Sequence, residues 1–378
     1  MTAQDTRETS ARSWPAVWPG DRAVARHSRT LVEDIAPVRV ASAKRAFSTR
    51  RVTLEDARSL VVGAVRPRAG DLVLARVERL RQHGRLELPS GRRALLHPGD
   101  EIIVACGNRY ASDQFEAYVP GALGEAHLVA AGGIAGVAAS KSQAVQAATE
   151  ITLLGLLGDA EGEPLNLARY ALPEPEVHGS RPPVIAVFGT AMNSGKTTTA
   201  RFLLRGLREA GYRAGYAKLT GTGAGGDYWA MMDAGAEAVF DFTDAGLAST
   251  YVAPIPVLER TSIDLIGHLT AAGCDRIVVE IADGLLQAET AGLMRSDIFR
   301  ALVDRVVFAA GDAIAANSGV ALLRAAGFEV AGVSGMLTTS PLAVREARGL
   351  LDVPVLSKDD LNDAAQARVI ATLQESVA

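Results

Sequence analysis

The chain has 378 residues, of which 48% are hydrophobic and 22% charged, and its net charge is −4. This size predicts two domains with buried cores, and the slightly acidic balance argues against a general affinity for nucleic acid. With only Cys106 and Cys274, a disulfide framework or cysteine zinc site is excluded, which favours a cytoplasmic location. No apolar leader or membrane-spanning run is recognised, so we expect no membrane association.

The first part of the chain divides into two regions. Residues 1–45 are polar, small and interrupted by Trp-Pro pairs, which predicts a flexible N-terminal extension. Residues 46–172 are typical of a small β-rich domain, a barrel or a sandwich, with a helical C-terminal part. Apolar and polar residues alternate along two stretches, 71–80 and 84–96. A Pro-Ser-Gly turn within the second stretch predicts a hairpin. Apolar spacing near 3.6 predicts a helix over 142–158.

One loop of this β-rich region is a candidate binding segment. Residues 107–120 are polar and aromatic and follow a predicted strand. Small barrels often bind nucleic acid, and Arg109, Tyr110 and Phe115 are residue types that would support such binding. The basic residues are not clustered, however, so we do not expect nucleic acid as a partner.

A proline-rich linker at 173–183 precedes a region of different pattern, 184–378. Short apolar runs alternate there with helical stretches, as in a parallel sheet covered on both faces. The runs are 184–188, 213–217, 276–281, 304–310, 328–335 and 353–356. The sequence therefore predicts an α/β fold, a doubly wound parallel sheet preceded by the small β-rich domain.

The first of these runs leads into a candidate phosphate loop, VIAVFGTAMNSGKTTTA at 184–200. A strand, a glycine-bounded turn and a helix N-terminus together form an anion site. In the usual motif the first glycine is five residues before the second, whereas here it is six residues before. We expect the side chain of Lys196 to bridge phosphates and the Thr197 hydroxyl to hold Mg²⁺, with ATP as the nucleotide. The candidate nucleotide-binding residues are Gly189, Thr190, Asn193, Ser194, Gly195, Lys196, Thr197 and Thr198.

The loop resembles the G-T-x-x-x-x-G-K-T form of the dethiobiotin-synthetase-like branch of the deviant (SIMIBI-class) P-loop NTPases. The resemblance covers about 184–360. The segment GYAKLTGTG keeps Lys218 and Thr222 in the family register, with Leu219 in place of the family's proline. RIVVEIADGLL keeps Glu280 and Gly284, separated by three residues. Dethiobiotin synthetase itself is excluded, because that enzyme is a single short domain.

The resemblance implies an ATP- and Mg²⁺-dependent enzyme that transfers the γ-phosphoryl group to a small-molecule carboxylate or carbamate. It implies that Lys218 contacts both the substrate carboxylate and the transferred group, and that the active site is shared across a homodimer. Lysine is rare in this chain, and Lys218 ends a predicted strand at the edge where such folds bind ligands.

The remaining candidates are acids and hydroxyls near predicted strand ends. The catalytic set is Lys196, Lys218 and Glu280. The metal set is Thr197, Glu280 and Asp227, since oxygen ligands suit Mg²⁺. The substrate set is Lys218, Thr222, Asp241, Asp244 and Asp283.

Two other functions remain open from the sequence. One is a nucleotide-dependent switch or chaperone-type NTPase that signals through the β-rich domain. The other is a polynucleotide or small-molecule kinase, although the acidic pI of about 5.9 weighs against a polynucleotide.

Overall fold

The structure is a computed structural model that describes residues 29–372. Residues 1–28 of the predicted extension lie outside the described residues. The rest of that segment contains a strand at Thr30–Asp34 and a helix at Pro37–Ser42. The prediction of an extension up to residue 45 is therefore wrong for this part, because the strand pairs antiparallel with Ser59–Gly63.

The N-terminal domain is built from short strands. They are β1 (Thr30–Asp34), β2 (Lys44–Arg45), β3 (Ser59–Gly63), β4 (Leu72–Arg79), β5 (Arg85–Glu87), β6 (Arg93–Leu95), β7 (Glu101–Cys106), β8 (Arg109–Tyr110), β9 (Phe115–Tyr118), β10 (Gly124–Ala130), β11 (Ile134–Lys141) and β12 (Thr149–Gly158), with helix α1 (Pro37–Ser42). The pairings β4–β7–β11–β10–β12–β4 close a ring, so this domain is a five-stranded barrel with additional strands at its edge. The predicted hairpin is present as β5 and β6.

The helix predicted over 142–158 is wrong, because the second half of this segment is strand β12. Thr149, Ile151 and Leu153 are buried and alternate with partly buried residues, which is the two-residue period of a strand. Gly155 is needed for close packing, since a Cβ atom there would lie 2.5 Å from the Cγ atom of Leu60. Several leucines in this segment fit both the helical and the strand period, so the sequence pattern alone did not distinguish a helix from a strand.

The C-terminal domain alternates strands and helices. Its strands are β13 (Val184–Gly189), β14 (Ala214–Lys218), β15 (Val239–Asp241), β16 (Arg276–Glu280), β17 (Arg305–Ala309) and β18 (Val330–Ser334). Its helices are α2 (Lys196–Glu209), α3 (Gly225–Asp233), α4 (Ile255–Ala271), α5 (Ala288–Arg295), α6 (Asp297–Leu302), α7 (Ala313–Ala325), α8 (Pro341–Leu350), α9 (Lys358–Asn362) and α10 (Ala364–Ala371). All neighbouring strands are parallel, in the order β15–β14–β16–β13–β17–β18.

The predicted doubly wound fold is confirmed. One face of the sheet packs against α2, α9 and α10, and the other against α4 to α8. Five of the six apolar runs form strands, whereas 353–356 contributes only a bridge between Val355 and Val333. Strand β15 was not predicted, because its short segment was interpreted only as a source of candidate acids such as Asp241. Within 29–372, no helix is both long and apolar enough to cross a membrane.

The two domains are joined through a buried ion cluster. Arg50 of the barrel domain donates to Asp241 at 3.1 Å and to Asp244 at 2.6 Å, and also contacts the hydroxyl of Thr243. Its guanidinium lies over the ring of Phe47, 4.3 Å from the centroid. Burial and the charge of Asp241 raise the pKa of Asp244 to about 6. The carboxylates of the C-terminal domain therefore depend on a cation supplied by the other domain.

We predict that Arg50→Met lowers the free energy of unfolding at pH 7 by about 3–5 kcal/mol, since it leaves buried carboxylates without a cation. The loss should be smaller at pH 5, because Asp244 has a raised pKa and takes up a proton as the pH falls. Urea denaturation at both pH values measures the effect. Arg76→Met is the control, because the Arg76–Glu78 pair is exposed to solvent, where such pairs contribute little to stability. Equal losses in the two variants would contradict the prediction.

Candidate functional site

The phosphate loop connects β13 to α2 with a backbone that requires glycine at both ends. A Cβ atom on Gly189 would lie 2.3 Å from the Oγ atom of Ser194 and 2.7 Å from the Cγ atom of Lys196. Gly195 has a φ of +99°, and a Cβ atom there would lie 2.9 Å from the Cα atom of Gly335. Gly189, the glycine one residue earlier than in the usual motif, therefore leaves space for the side chains of Ser194 and Lys196 to pack against the end of β13.

Neighbouring segments hold the loop in place. The amide of Thr190 donates to the carbonyl of Ala309 at 3.0 Å, and the amide of Met336 donates to the carbonyl of Ser194 at 2.9 Å. Asn193 has a φ of 60°, and its side-chain amide donates to Asp113 of the barrel domain at 2.8 Å. The loop is therefore fixed by both domains.

Two side chains of the loop are suited to an anion. The ammonium group of Lys196 donates to the carbonyl oxygens of Ala191 and Asp283, each at 2.8 Å. Burial lowers its pKa, although the carboxylate of Glu280 acts in the opposite direction. The Oγ atom of Ser194 is buried and has no hydrogen-bond partner among residues 29–372. Together with the free amides of the first turn of α2, these groups fit phosphate oxygens.

A buried carboxylate lies beside the loop at the end of β16. Glu280 is 1% exposed and accepts hydrogen bonds from the Thr197 hydroxyl at 3.1 Å and from the Tyr216 hydroxyl at 2.9 Å. The ammonium nitrogen of Lys218 is 3.8 Å from its Oε1 atom. Burial raises the pKa of Glu280, although Lys218 opposes this. The three predicted catalytic residues, Lys196, Lys218 and Glu280, thus lie in one cluster.

Lys218 is also paired with Asp227, which lies in the first turn of α3. Burial alone would lower the pKa of Lys218, but the carboxylates of Asp227 and Glu280 together raise it. Thr197, Glu280 and Asp227 are oxygen donors of the kind that bind Mg²⁺ together with phosphates and water, so the predicted metal set fits the ion. In the described part of the chain, no group of three or more His, Cys, Asp or Glu residues could hold a metal ion by itself.

A cavity of about 690 Å³ lies next to this cluster, between the two domains. Met192 of the loop, Lys218 and Asp283 line one side, and Arg85, Arg93 and Arg109 of the barrel domain line the other. Thr222 also lines the cavity. Asp283 has a φ of 59°, and burial raises the pKa of its carboxyl group to about 6. Three of the predicted substrate residues, Lys218, Thr222 and Asp283, are therefore brought together.

The other two predicted substrate residues, Asp241 and Asp244, do not line this cavity. Both are 4% exposed, and their carboxylates bind Arg50 in the ion cluster between the domains. The sequence showed acids near a strand end, but it did not show that a cation far away in the chain would neutralise them. We therefore do not assign substrate binding to them.

Several residues of the site were not singled out for their observed roles. Tyr216 is fully buried and binds Glu280, and its position inside an apolar strand gave no signal of this. Arg109 was considered for surface contacts with nucleic acid, but it is 7% exposed and lies in the cavity wall. The sequence feature that pointed to Arg109 was its position in a polar segment that follows a predicted strand.

Comparisons with known proteins give matches among solved structures only. No family model matches the chain, and no curated protein matches it. The chain is similar to the crystal structure of FtsY from Mycoplasma mycoides, with 14% identity, a TM-score of 0.34, and coverage of 52% of this chain and 69% of that chain. It is also similar to the signal recognition particle receptor FtsY from Elizabethkingia anophelis in complex with GDP, with 14% identity, a TM-score of 0.34, and coverage of 55% and 68%.

Likenesses this weak establish neither a family nor an activity. The assignment of a P-loop fold stands on the loop geometry and the sheet order. None of the comparisons supports the narrower dethiobiotin-synthetase-like branch or the homodimer that it implies.

We predict that Tyr216→Phe lowers the free energy of unfolding by about 1–3 kcal/mol at pH 7, because Glu280 loses a donor in a place without water. The loss should shrink as the pH falls through the raised pKa of Glu280, since a protonated carboxyl group needs the donor less. Urea denaturation across this pH range measures the loss. Tyr212→Phe is the control, because the Tyr212 hydroxyl makes no hydrogen bond within residues 29–372. A pH-independent loss in Tyr216→Phe would contradict the assignment.

Proposed function

We propose that this chain is a Mg²⁺-dependent P-loop enzyme that transfers the γ-phosphoryl group of a nucleoside triphosphate to a small-molecule carboxylate. One observation carries the proposal: Lys196, Thr197, Glu280 and Lys218 converge at the carboxyl edge of the parallel sheet, beside a cavity of about 690 Å³. Cavities of this size at the strand ends of doubly wound folds commonly bind small molecules.

The residues divide the work between phosphate binding and charge neutralisation. Lys196 and the first-turn amides of α2 bind the β- and γ-phosphates, and the Ser194 hydroxyl adds a donor. Thr197, Glu280 and Asp227 would hold Mg²⁺, which supplies charge neutralisation at the phosphates when it is bound. Lys218 faces the cavity, so its charge is available to the transferred group.

The acceptor oxygen is already anionic in a carboxylate, and the transfer therefore needs no general base. The carboxylate oxygen forms a bond to the γ-phosphorus, and the bond from that phosphorus to the β–γ bridging oxygen breaks. The bridging oxygen keeps the electron pair and leaves with the nucleoside diphosphate. The products are an acyl phosphate and a nucleoside diphosphate. Positioning and charge stabilisation supply the rate enhancement.

The second candidate function is a nucleotide-dependent switch. It is favoured by two contacts that join the nucleotide site to the barrel domain, Asn193 with Asp113 and the amide of Gly225 with Glu87, each at 2.8 Å. A change at the loop would reach the barrel domain through them. The cavity and its cations favour the enzyme, because a switch does not require a second ligand site. A polynucleotide acceptor is not proposed, since Arg109 is buried.

We predict that a nucleoside triphosphate with Mg²⁺ raises the melting temperature of the wild-type protein and that Lys196→Ala abolishes the increase. Binding at about a hundred times Kd stabilises the folded state by roughly 2.7 kcal/mol. The screen compares ATP, GTP and CTP, because the phosphate loop contacts phosphates and not the base. Lys358→Ala is the matched control, since Lys358 is exposed and outside the site. No increase in the wild type with any of the three would overturn the nucleotide site.

We further predict that turnover with a carboxylate acceptor yields a hydroxamate when hydroxylamine is present, since hydroxylamine traps acyl phosphates. Lys218→Ala should retain the nucleotide-induced increase in melting temperature and lower the trapping rate by about 10²–10³, because one charge donor to the transition state is lost. Nucleotide hydrolysis without trapping across a library of carboxylic acids would favour the switch instead.

A further inference from the structure

An arginine in the wall of the interdomain cavity is buried without a carboxylate partner. Arg109, in β8, is 7% exposed. Its Nη2 atom donates to the Gln114 side chain at 3.1 Å, and its Nε atom has no partner. Within the described residues it forms no ion pair. A guanidinium group without a counter-charge is costly to bury, by several kcal/mol, so its position calls for an anion that is not part of the chain.

The groups around Arg109 do not supply that anion. Burial lowers the pKa of Arg109 to about 10, while the carboxylates of Asp113 and Asp283 act in the opposite direction from beyond ion-pair distance. Asp113 accepts a hydrogen bond from Asn193 through Oδ2, and its buried Oδ1 atom has no partner among residues 29–372, so this carboxylate does not bind Arg109 directly. The Cζ atom of Arg109 also lies over the ring of Phe115, 5.8 Å from its centroid, and this ring supplies no formal charge.

His83, the nearest titratable neighbour of Arg109 in this wall, does not add a charge beside it. Burial and the charge of Arg109 lower its pKa to about 4, so the ring is neutral at pH 7. Its Nε2 atom lies 3.0 Å from the carbonyl oxygen of Val129 and 3.3 Å from the Nη1 atom of Arg109. Because a carbonyl only accepts, the shorter contact assigns the proton to Nε2 and leaves Nη1 without an acceptor.

The two sides of the cavity thus present cations that face a common space. Arg109 lies on the barrel side and Lys218 on the sheet side. Glu87, the other acid of the barrel wall, is paired with Arg93 at 2.9 Å. We infer that the cavity binds a small molecule with two anionic groups, one held by Arg109 and the other, the acceptor carboxylate, presented to Lys218.

This inference rests on the proposed function, since Lys218 is taken to face the acceptor. It adds a substrate class and a specificity-determining residue from the barrel domain. A guanidinium fork binds a carboxylate or a phosphonate through two parallel hydrogen bonds. A monoanion presented to Lys218 leaves Arg109 without a counter-charge, so the cavity discriminates against it.

The test measures melting temperatures of the full-length protein with Mg²⁺ and the stabilising nucleotide present. The probes are malonate, succinate and glutarate, compared with acetate, propionate and butyrate at matched ionic strength. Phosphonoacetate and 3-phosphonopropionate distinguish a phosphonate from a carboxylate as the second anionic group. Arg109→Gln removes the charge, Arg109→Lys keeps the charge without the fork, and exposed Arg92→Gln is the matched control.

We expect at least one dianion to raise the melting temperature of the wild type and of Arg92→Gln, with no effect of the monocarboxylates. In Arg109→Gln the affinity for that dianion should fall on the order of 30-fold or more, since a desolvated charge partner is lost. Arg109→Lys should be intermediate. All variants should keep the nucleotide-induced increase, which shows that they fold.

Three results would overturn the inference: equal stabilisation by monocarboxylates, an unchanged dianion effect in Arg109→Gln, or no effect of any dianion on the wild type. In each case, if the nucleotide still raises the melting temperature, the proposed phosphate site is retained. If the nucleotide does not raise the melting temperature of the wild type, the proposed function itself fails.

Discussion

The buried carboxylate of Glu280 is the constraint on which this site depends. At 1% exposure it has no water to solvate it, so its oxygen atoms must be satisfied by the protein. The hydroxyls of Thr197 and Tyr216 donate to it, and the ammonium of Lys218 balances its charge. Thr197 lies on α2, whereas Tyr216 and Lys218 lie on β14, so one charge at the end of β16 aligns the helix and the neighbouring strand.

The same requirement explains why the barrel domain covers the sheet edge. Carboxylates gather at the carboxyl ends of β15 and β16, and the C-terminal domain does not balance all of them from its own residues. Arg50 of the barrel reaches Asp241 and Asp244, and the barrel's Glu87 and Asp113 in turn accept from the loop segments of the C-terminal domain. Because charges on each domain are satisfied by the other, ion pairs and hydrogen bonds hold the walls of the cavity together with apolar contacts such as that of Phe47 with Tyr228.

Local patterns in the sequence predicted much of this structure. The strand, glycine turn and Lys-Thr of the phosphate loop are contiguous, so their meaning does not depend on tertiary contacts. The parallel sheet was predicted for a similar reason, because strands covered on both faces are continuous apolar runs. The convergence of Lys218 and Glu280 followed from the rule that strand ends meet at one edge of a doubly wound sheet.

The errors arose where a distant contact decides the outcome. The segment at 142–158 satisfies both helical and strand spacing, and pairing with β4 and β10 selects the strand. Asp241 looked available for a ligand, but Arg50, which is 191 residues away in sequence, neutralises it. The burial of Arg109 could not be predicted either, since it depends on how the second domain closes over the loop. Contacts between residues this far apart produce no periodic pattern in the local sequence, so they cannot be predicted from helix or strand spacing.

The hydrogen bonds of Lys196 have a consequence for the release of products. Its ammonium already donates to two carbonyl oxygens, so an arriving phosphate exchanges partners with them instead of filling an empty position. The gain from each new bond is the difference between phosphate and carbonyl as acceptors. When the ligand leaves, the ammonium group can donate to the same two carbonyl oxygens again, so the loop does not have to change conformation. The lysine therefore keeps hydrogen-bond partners both before a phosphate binds and after it leaves.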